Sequence, residues 1–231
     1  MRQGTLLVVG AGGDVGIGIV TAAIAAGWRV VAAGRNSAKL ARFEGSAAIV
    51  TGDLSTEAGA AALWDAASAH GAICAVALSV NAPNIAKPIL EWQPDALGGV
   101  FATNVLTHFI AAKTFLPRLP ADGAFIGIGG GTVDFIIPNS TQLSVAQAAQ
   151  RMLYRGIARE NRGGAAIREL IIVSMVNGES KRDRADESWV TDVEVGRHVC
   201  AVLADPAAFP GPILSLKSRE QVGQPDLEVA R

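Results

Sequence analysis

The first residues with chemical potential are glycines. An apolar run at residues 5–10 (TLLVVG) leads straight into Ala11-Gly12-Gly13-Asp14-Val15-Gly16-Ile17-Gly18, and helix-forming sequence follows. At a strand-to-helix turn, glycines let the chain reverse sharply, let the backbone approach a pyrophosphate, and let the helix start pack on the strand. The helix start adds free N–H groups and a positive dipole end. The spacing is Gly12-x3-Gly16-x-Gly18, and no Lys-Ser/Thr pair follows, so a P-loop is excluded. The implied chemistry is dinucleotide binding; a merely structural tight turn is the other reading.

A second apolar run ends in Ala33-Gly34-Arg35-Asn36. An acid at this point would bind the adenosine ribose and favour NAD(H), whereas an arginine would accept a 2′-phosphate. No acid is present and Arg35 follows, so NADP(H) is expected over NAD(H). Asp14 places a negative charge in the glycine loop, and Val15 adds no second base there. Metal chemistry is not expected, because His70, His108 and His198 are far apart and lack ligand spacing. Cys74 and Cys200 both lie in apolar stretches and are read as reduced core thiols.

These residues need a scaffold, and the periodicity supplies one. Strands are predicted near 5–10, 28–33, 47–51, 73–80, 123–128, 168–174 and 212–216. Their nearly continuous apolar character fits burial on both faces of a parallel sheet. Helices are predicted near 16–26, 37–43, 57–70, 93–118, 140–162 and 192–204. This alternation predicts an α/β fold: one doubly wound Rossmann domain over 1–231, with a seven-stranded parallel sheet and helices on both faces. Residues 178–187 (GESKRDRADE) carry seven charges in ten positions. They read as a solvated loop or, extended over 178–190, as a substrate-side lid. Residues 217–231 read as a polar C-terminal tail.

Composition narrows the class. The chain has 231 residues, half of them hydrophobic, which is enough for a sizeable core. Lys plus Arg number 20 against 21 Asp plus Glu. That balance predicts no nucleic-acid partner and no attraction to an anionic membrane. The early apolar run is too short for an export signal, and no segment approaches a membrane span. A cytoplasmic protein acting on a small molecule is expected. The segments 93–118 and 140–162 carry apolar residues on more than one face (Val100, Phe101, Val105, Phe109, Phe115; Val145, Ala149, Met152, Leu153). One face covers the sheet and the other calls for a partner, so a homodimer or homotetramer is expected.

With these residues in place, the chain resembles the short-chain dehydrogenase/reductase family over nearly its whole length. Gly12-x3-Gly16-x-Gly18 resembles the family's TGxxxGxG, with Ala11 for the Thr. Asp53-Leu54 resembles its Asp-hydrophobic pair at the adenine. Asn81-Ala82-Pro83 resembles its Asn-Ala-Gly, with Pro83 for the Gly. Asn104 resembles the Asn of its long fourth helix, and is the one catalytic position retained. Glu194-Val195-Gly196 and residues 211–216 resemble its last helix and strand. The resemblance implies an oxidoreductase that binds its nucleotide through Gly12, Asp14, Val15, Gly16, Ile17, Gly18, Arg35, Asn36, Asp53, Leu54, Asn81, Ala82, Pro83 and Gln147.

The family's acid–base positions are then different in kind. Aligned on Pro138 and Ala158-Arg159-Glu160, its Tyr falls on Leu143, its Lys on Gln147 and its Ser on Gly130. Leu143 has no proton to give. Gln147 is neutral and tunes no pKa by charge, although its amide can bond a ribose hydroxyl. Gly130 has no hydroxyl. Among stand-ins, Tyr154 lies two turns beyond Gln147 and reads as a packing residue. His108, Asp134, Ser140, Thr141 and Ser144 are candidates by position alone. Three readings stay open: an NADP(H)-dependent oxidoreductase with an unusual acid or none, a cofactor-binding sensor, regulator or partner subunit without turnover, and a relic of the fold.

Overall fold

A computed structural model describes residues 4–161 and 163–225. Seven of the apolar runs become strands of one sheet. In chain order the elements are β1 (Thr5–Val9), α1 (Asp14–Ala25), β2 (Arg29–Gly34), α2 (Ser37–Leu40), β3 (Ala48–Thr51), α3 (Glu57–Ser68), β4 (Ile73–Leu78), α4 (Pro94–Phe101), α5 (Thr107–Phe115), β5 (Ala124–Gly130), α6 (Thr141–Glu160), β6 (Ala166–Ile172), β7 (Val176–Asn177), β8 (Val190–Thr191), α7 (Asp192–Ala204) and β9 (Ile213–Leu216). The seven-stranded sheet has the order β3-β2-β1-β4-β5-β6-β9, and every pairing in it is parallel. The chain winds outward from β1 to β3, then returns to the other side of β1 with β4. That reversal opens a crevice at the carboxyl ends of β1 and β4.

The continuous apolar strands are explained by two cores. Successive strand residues point to opposite faces. Leu6, Val8, Ile126 and Leu170 face α1 and α7, where they meet Ile19 and Val199. Leu7, Val9, Leu78 and Phe125 face α3, α5 and α6, where they meet Leu63, Phe115 and Tyr154. α7 starts at a capping box: the Thr191 hydroxyl accepts from Glu194 N–H while the Glu194 carboxylate accepts from Thr191 N–H.

Two segments differ from the sequence reading. The helix expected over 93–118 is interrupted: α4 passes into a π-helical turn at Ala102–Leu106, then α5, then a 3-10 turn at Leu116–Arg118. Gly98 and Gly99 weaken the helix before that turn, and the buried Asn104 side chain inside it bonds backbone on both sides. The second difference is the pair of two-residue strands β7 and β8, which are too short to carry a periodicity. They bracket the charged run, which forms a 3-10 helix at Glu179–Arg184.

The described part of the polar C-terminal stretch is tied down rather than free. Gly223 N–H donates to His198 Nδ1 at 3.1 Å, Arg219 meets Glu194 at 3.1 Å, and Val222 packs on the α1–α7 core. The rest of that stretch, 226–231, lies outside the described residues. Among the described residues no helix is long and apolar enough to cross a membrane, and no group of His, Cys, Asp and Glu could hold a metal.

Candidate functional site

The crevice at the switch point encloses about 810 Å³. Its near wall is the turn after β1. Gly10 has φ +84°, a conformation that favours glycine, and its missing side chain lets the turn close on the Ser79 carbonyl after β4. At Gly16 a Cβ would stand 2.8 Å from the Ala11 Cα, so only glycine lets α1 start this close beneath the turn. Gly12 and Gly13 line the crevice, and no side chain caps the first amides of α1. Those amides are left for an outside acceptor, as an anion-binding helix start requires.

The rest of the glycine run points elsewhere. Val15 and Ile17 pack on the α1–α7 core. Gly18 serves helix packing: a Cβ there would stand 2.8 Å from the Asp192 Cβ at the start of α7, and Gly196 returns the contact against Ala22. The Asp14 carboxylate accepts from Ser180 N–H at 3.0 Å and from the Ser180 hydroxyl, with Lys181 Nζ at 3.7 Å. Burial raises the Asp14 carboxyl pKa, but the Ser180 bonds and the Lys181 charge outweigh it and hold the group below the usual range. The charged segment is therefore latched to the turn. Its other tie is the Arg42–Glu179 ion pair, 2.5 Å.

The far end of the crevice is basic. Arg35, Asn36 and Lys39 line it, together with Asp53, Leu54 and Ser55. Asn36 Oδ1 accepts from Lys39 N–H at 3.3 Å and caps α2, which sets Lys39 four residues beyond Arg35 on the same wall. Lys39 was missed in the sequence. Its signal was the Asn36-Ser37 helix start, which brings the residue three positions on back to the strand end. Asp53 accepts from Ser55 N–H at 3.2 Å; the Ser55 bonds, aided by the Arg35 charge, hold its carboxyl below the usual range.

At the β4 end, Asn81 lines the crevice and the exposed Pro83 does not. Ala82 N–H donates to Asn104 Oδ1 at 3.1 Å, and Asn104 Nδ2 donates to the Val100 carbonyl at 3.2 Å. Asn104 thus joins the β4 loop to the π turn. Four residues beyond Asn104, His108 Nε2 meets the Val80 carbonyl at 2.9 Å and Nδ1 meets Tyr154 Oη at 2.8 Å. The carbonyl can only accept, so Nε2 carries the hydrogen and Tyr154 donates to Nδ1. Burial pushes the His108 pKa down to about 4 and the Tyr154 pKa up.

Gly130 and Gln147 come together at the end of β5, with Leu143 one turn before Gln147 on α6. A Cβ on Gly130 would stand 2.7 Å from Gln147 Nε2, so the glutamine amide fills the space a side chain at 130 would take. The Thr132 hydroxyl donates to Gln147 Oε1. Gln147 is buried against this turn and is not part of the crevice wall. Three of the other polar groups nearby are engaged as well. Asp134 pairs with Arg151 at 2.6 Å, Ser140 Oγ donates to Asn84 Oδ1 at 3.2 Å, and Ser144 Oγ donates to the Phe135 carbonyl at 3.3 Å.

Residues 10–207 match the family described as enoyl-(acyl carrier protein) reductase. The chain belongs to the short-chain dehydrogenase/reductase family. A curated relative in this family, 2,3-dihydroxy-2,3-dihydro-p-cumate dehydrogenase of Pseudomonas putida, is 27% identical over 164 residues, 67% of this chain. The match spans 63% of that relative's length. Among solved structures, a short-chain type dehydrogenase/reductase from Mycobacterium ulcerans has a TM-score of 0.83 at 20% identity, covering 99% of this chain and 94% of its own. A short chain oxidoreductase from Pseudomonas aeruginosa PAO1, described as NADPH bound and containing an atypical catalytic center, has a TM-score of 0.78 at 19% identity, covering 92% and 95%. The family's nicotinamide nucleotide is compatible with the crevice: it offers glycine-lined walls, an uncapped helix start and a basic end.

Proposed function

We propose that this short-chain dehydrogenase/reductase binds NADP(H), in preference to NAD(H), along the switch-point crevice. The observation that carries the reading is the basic end, where Arg35 and Lys39 stand on one wall and β2 ends without an acid. Two cations favour a 2′-phosphate, and Arg35 can bind it bidentately. Leu54 supplies an apolar surface beside Asp53 for the adenine. The uncapped amides of α1 suit the pyrophosphate. When bound, the nucleotide supplies hydride chemistry; the chain's part is to hold and orient it. Asn104, His108 and Tyr154 do so indirectly, by fixing the backbone of residues 80–82.

The proposed activity is oxidoreductase by class, without the family's usual proton machinery. Gly130, Leu143 and Gln147 hold no proton to transfer, and Asp134, Ser140 and Ser144 are committed to protein partners. His108 and Tyr154 are buried and bonded to one another, so neither serves as the replacement acid. These commitments also favour a second reading: a nucleotide-binding sensor, regulator or partner subunit without turnover. Calorimetry against NADPH and NADH tests the binding, and turnover of NADPH with aldehydes, ketones, enones and imines separates the two readings. Equal affinity for the two nucleotides rejects the NADP(H) assignment.

A further inference from the structure

α6 turns a polar face to the sheet. Gln142, Ser144, Gln147, Gln150 and Tyr154 are all buried on it, and β6 sets the fully buried Glu169 opposite. No side chain from β5 intervenes: Gly127 is the register partner of Glu169, and a Cβ on Gly129 would stand 2.8 Å from Glu169 Oε1. β9 presents Ile213 at its register. The charged and titratable groups around it are Arg151 and Tyr154 of α6, and His108 of α5 behind Tyr154. Arg151 is already paired with Asp134, and Tyr154 with His108. Among the described residues, no cation is committed to this carboxyl.

Gln150 holds it instead. Its Nε2 donates to Glu169 Oε1 at 2.8 Å and to the Ile128 carbonyl at 3.0 Å, which uses both amide hydrogens. The Ile128 contact also fixes which way the amide points, since the flipped group would set two oxygens together. Two buried oxygens then lack partners, Glu169 Oε2 and Gln150 Oε1. Both accept as long as Glu169 is ionised, so neither can satisfy the other. A proton on Oε2 would turn one of these two acceptors into a donor, the one change of state that lets them pair with each other.

We propose that Glu169 is held as a neutral carboxylic acid, closed into a cyclic pair with the Gln150 amide, and that this pair is a pH-sensitive clamp seating α6 on the sheet. Gln150 lies one turn from Gln147, so the clamp also positions the turn at Gly130. Burial pushes the carboxyl up to about 8, against the opposing pull of Gln150 and Arg151. A carboxyl raised above its unfolded value contributes stability that is fully present below its ordinary value of 4.5 and is lost as pH rises through about 8. The clamp belongs to the folded chain and holds whether or not a nucleotide binds.

Infrared difference spectra between the protein and the Glu169→Gln variant test it. Near pH 6 a protonated-carboxyl carbonyl band is expected in the unaltered protein alone, converting to carboxylate bands as pH passes about 8. Absence of that band overturns the proposal. Glutamine at 169 closes the same ring at every pH, amide to amide. The variant should therefore melt above the unaltered protein by a margin that widens by roughly 5–10 °C between about pH 6 and about pH 9. The same pH dependence in both proteins also overturns the clamp. Should the variant not fold, the carboxyl band of the unaltered protein, followed from about pH 6 to about pH 9, decides alone.

Discussion

At the residue scale, two positions carry the functional reading. Arg35 follows β2 where an acid would select the other nucleotide, and Lys39 doubles its charge. Replacing Arg35 by Ala should remove most of the preference for NADPH. A charge-assisted phosphate contact contributes about 1.5–3 kcal/mol, or roughly ten- to a hundredfold in affinity. Calorimetry of the variant with both nucleotides checks this, and an unchanged ratio would exclude Arg35 as the phosphate ligand. Leu143 is the second position. Little or no ketone reduction of the family's standard kind is expected, because Leu143 donates no proton. Robust NADPH-dependent ketone reduction by the unaltered protein, free of contaminating reductases, would show that another group donates it. Gly130→Ser alone should be unfavourable, since the new Cβ meets the Gln147 amide; combined with Gln147→Lys and Leu143→Tyr the space is redistributed. A lower melting temperature for the single variant than for the unaltered protein is the measurement.

At the element scale, the crevice walls depend on contacts far apart in sequence. The His108–Tyr154 pair joins α5 to α6 and holds the Val80 carbonyl at the end of β4. Tyr154→Phe keeps the ring and removes the donor, leaving a buried imidazole nitrogen unpaired. Such a loss costs about 1–3 kcal/mol, which urea unfolding resolves. An unchanged midpoint would show that the pair contributes nothing net. The charged 3-10 segment is held at Asp14 and Arg42. Asp14→Ala should release one end, and trypsin should then cut faster after Lys181, Arg182 and Arg184. Losing about 1.4 kcal/mol of local stability raises the open population roughly tenfold. Cleavage at the original rate would mean that the latch does not govern opening.

At the scale of the whole molecule, two helices leave apolar surface uncovered. Phe115 is buried on the sheet side, as one face requires. Phe109 on α5, and Val145 and Met152 on α6, are exposed by 41%, 48% and 61%. We propose that a second copy of the chain covers this face, giving a symmetric homo-oligomer. Light scattering at micromolar concentration should give at least twice the chain mass, and Phe109→Glu with Met152→Glu should return a monomer. A monomeric unaltered protein would refute this.

Local pattern was enough for the sheet, because strands buried on both faces must be apolar throughout and glycine turns must punctuate them. It was enough too to bring the glycine loop and Arg35 to the crevice, because both sit where a strand ends. What each glycine does was not local: Gly12 faces the crevice, whereas Gly18 makes room for α7, which begins 174 residues later at Asp192. Lys39 joined the basic wall only through the α2 cap, and Asn104 found its acceptor and donor only once a π turn had set it beside Ala82. His108, Tyr154, Gln150 and Glu169 carry no motif at all. Sequence periodicity places a polar residue on a helix face or a strand, but it does not say which buried groups meet across α5, α6, β5 and β6. Tertiary packing decided that, because a polar group shut away from water must find its partner among whatever other elements bring to it.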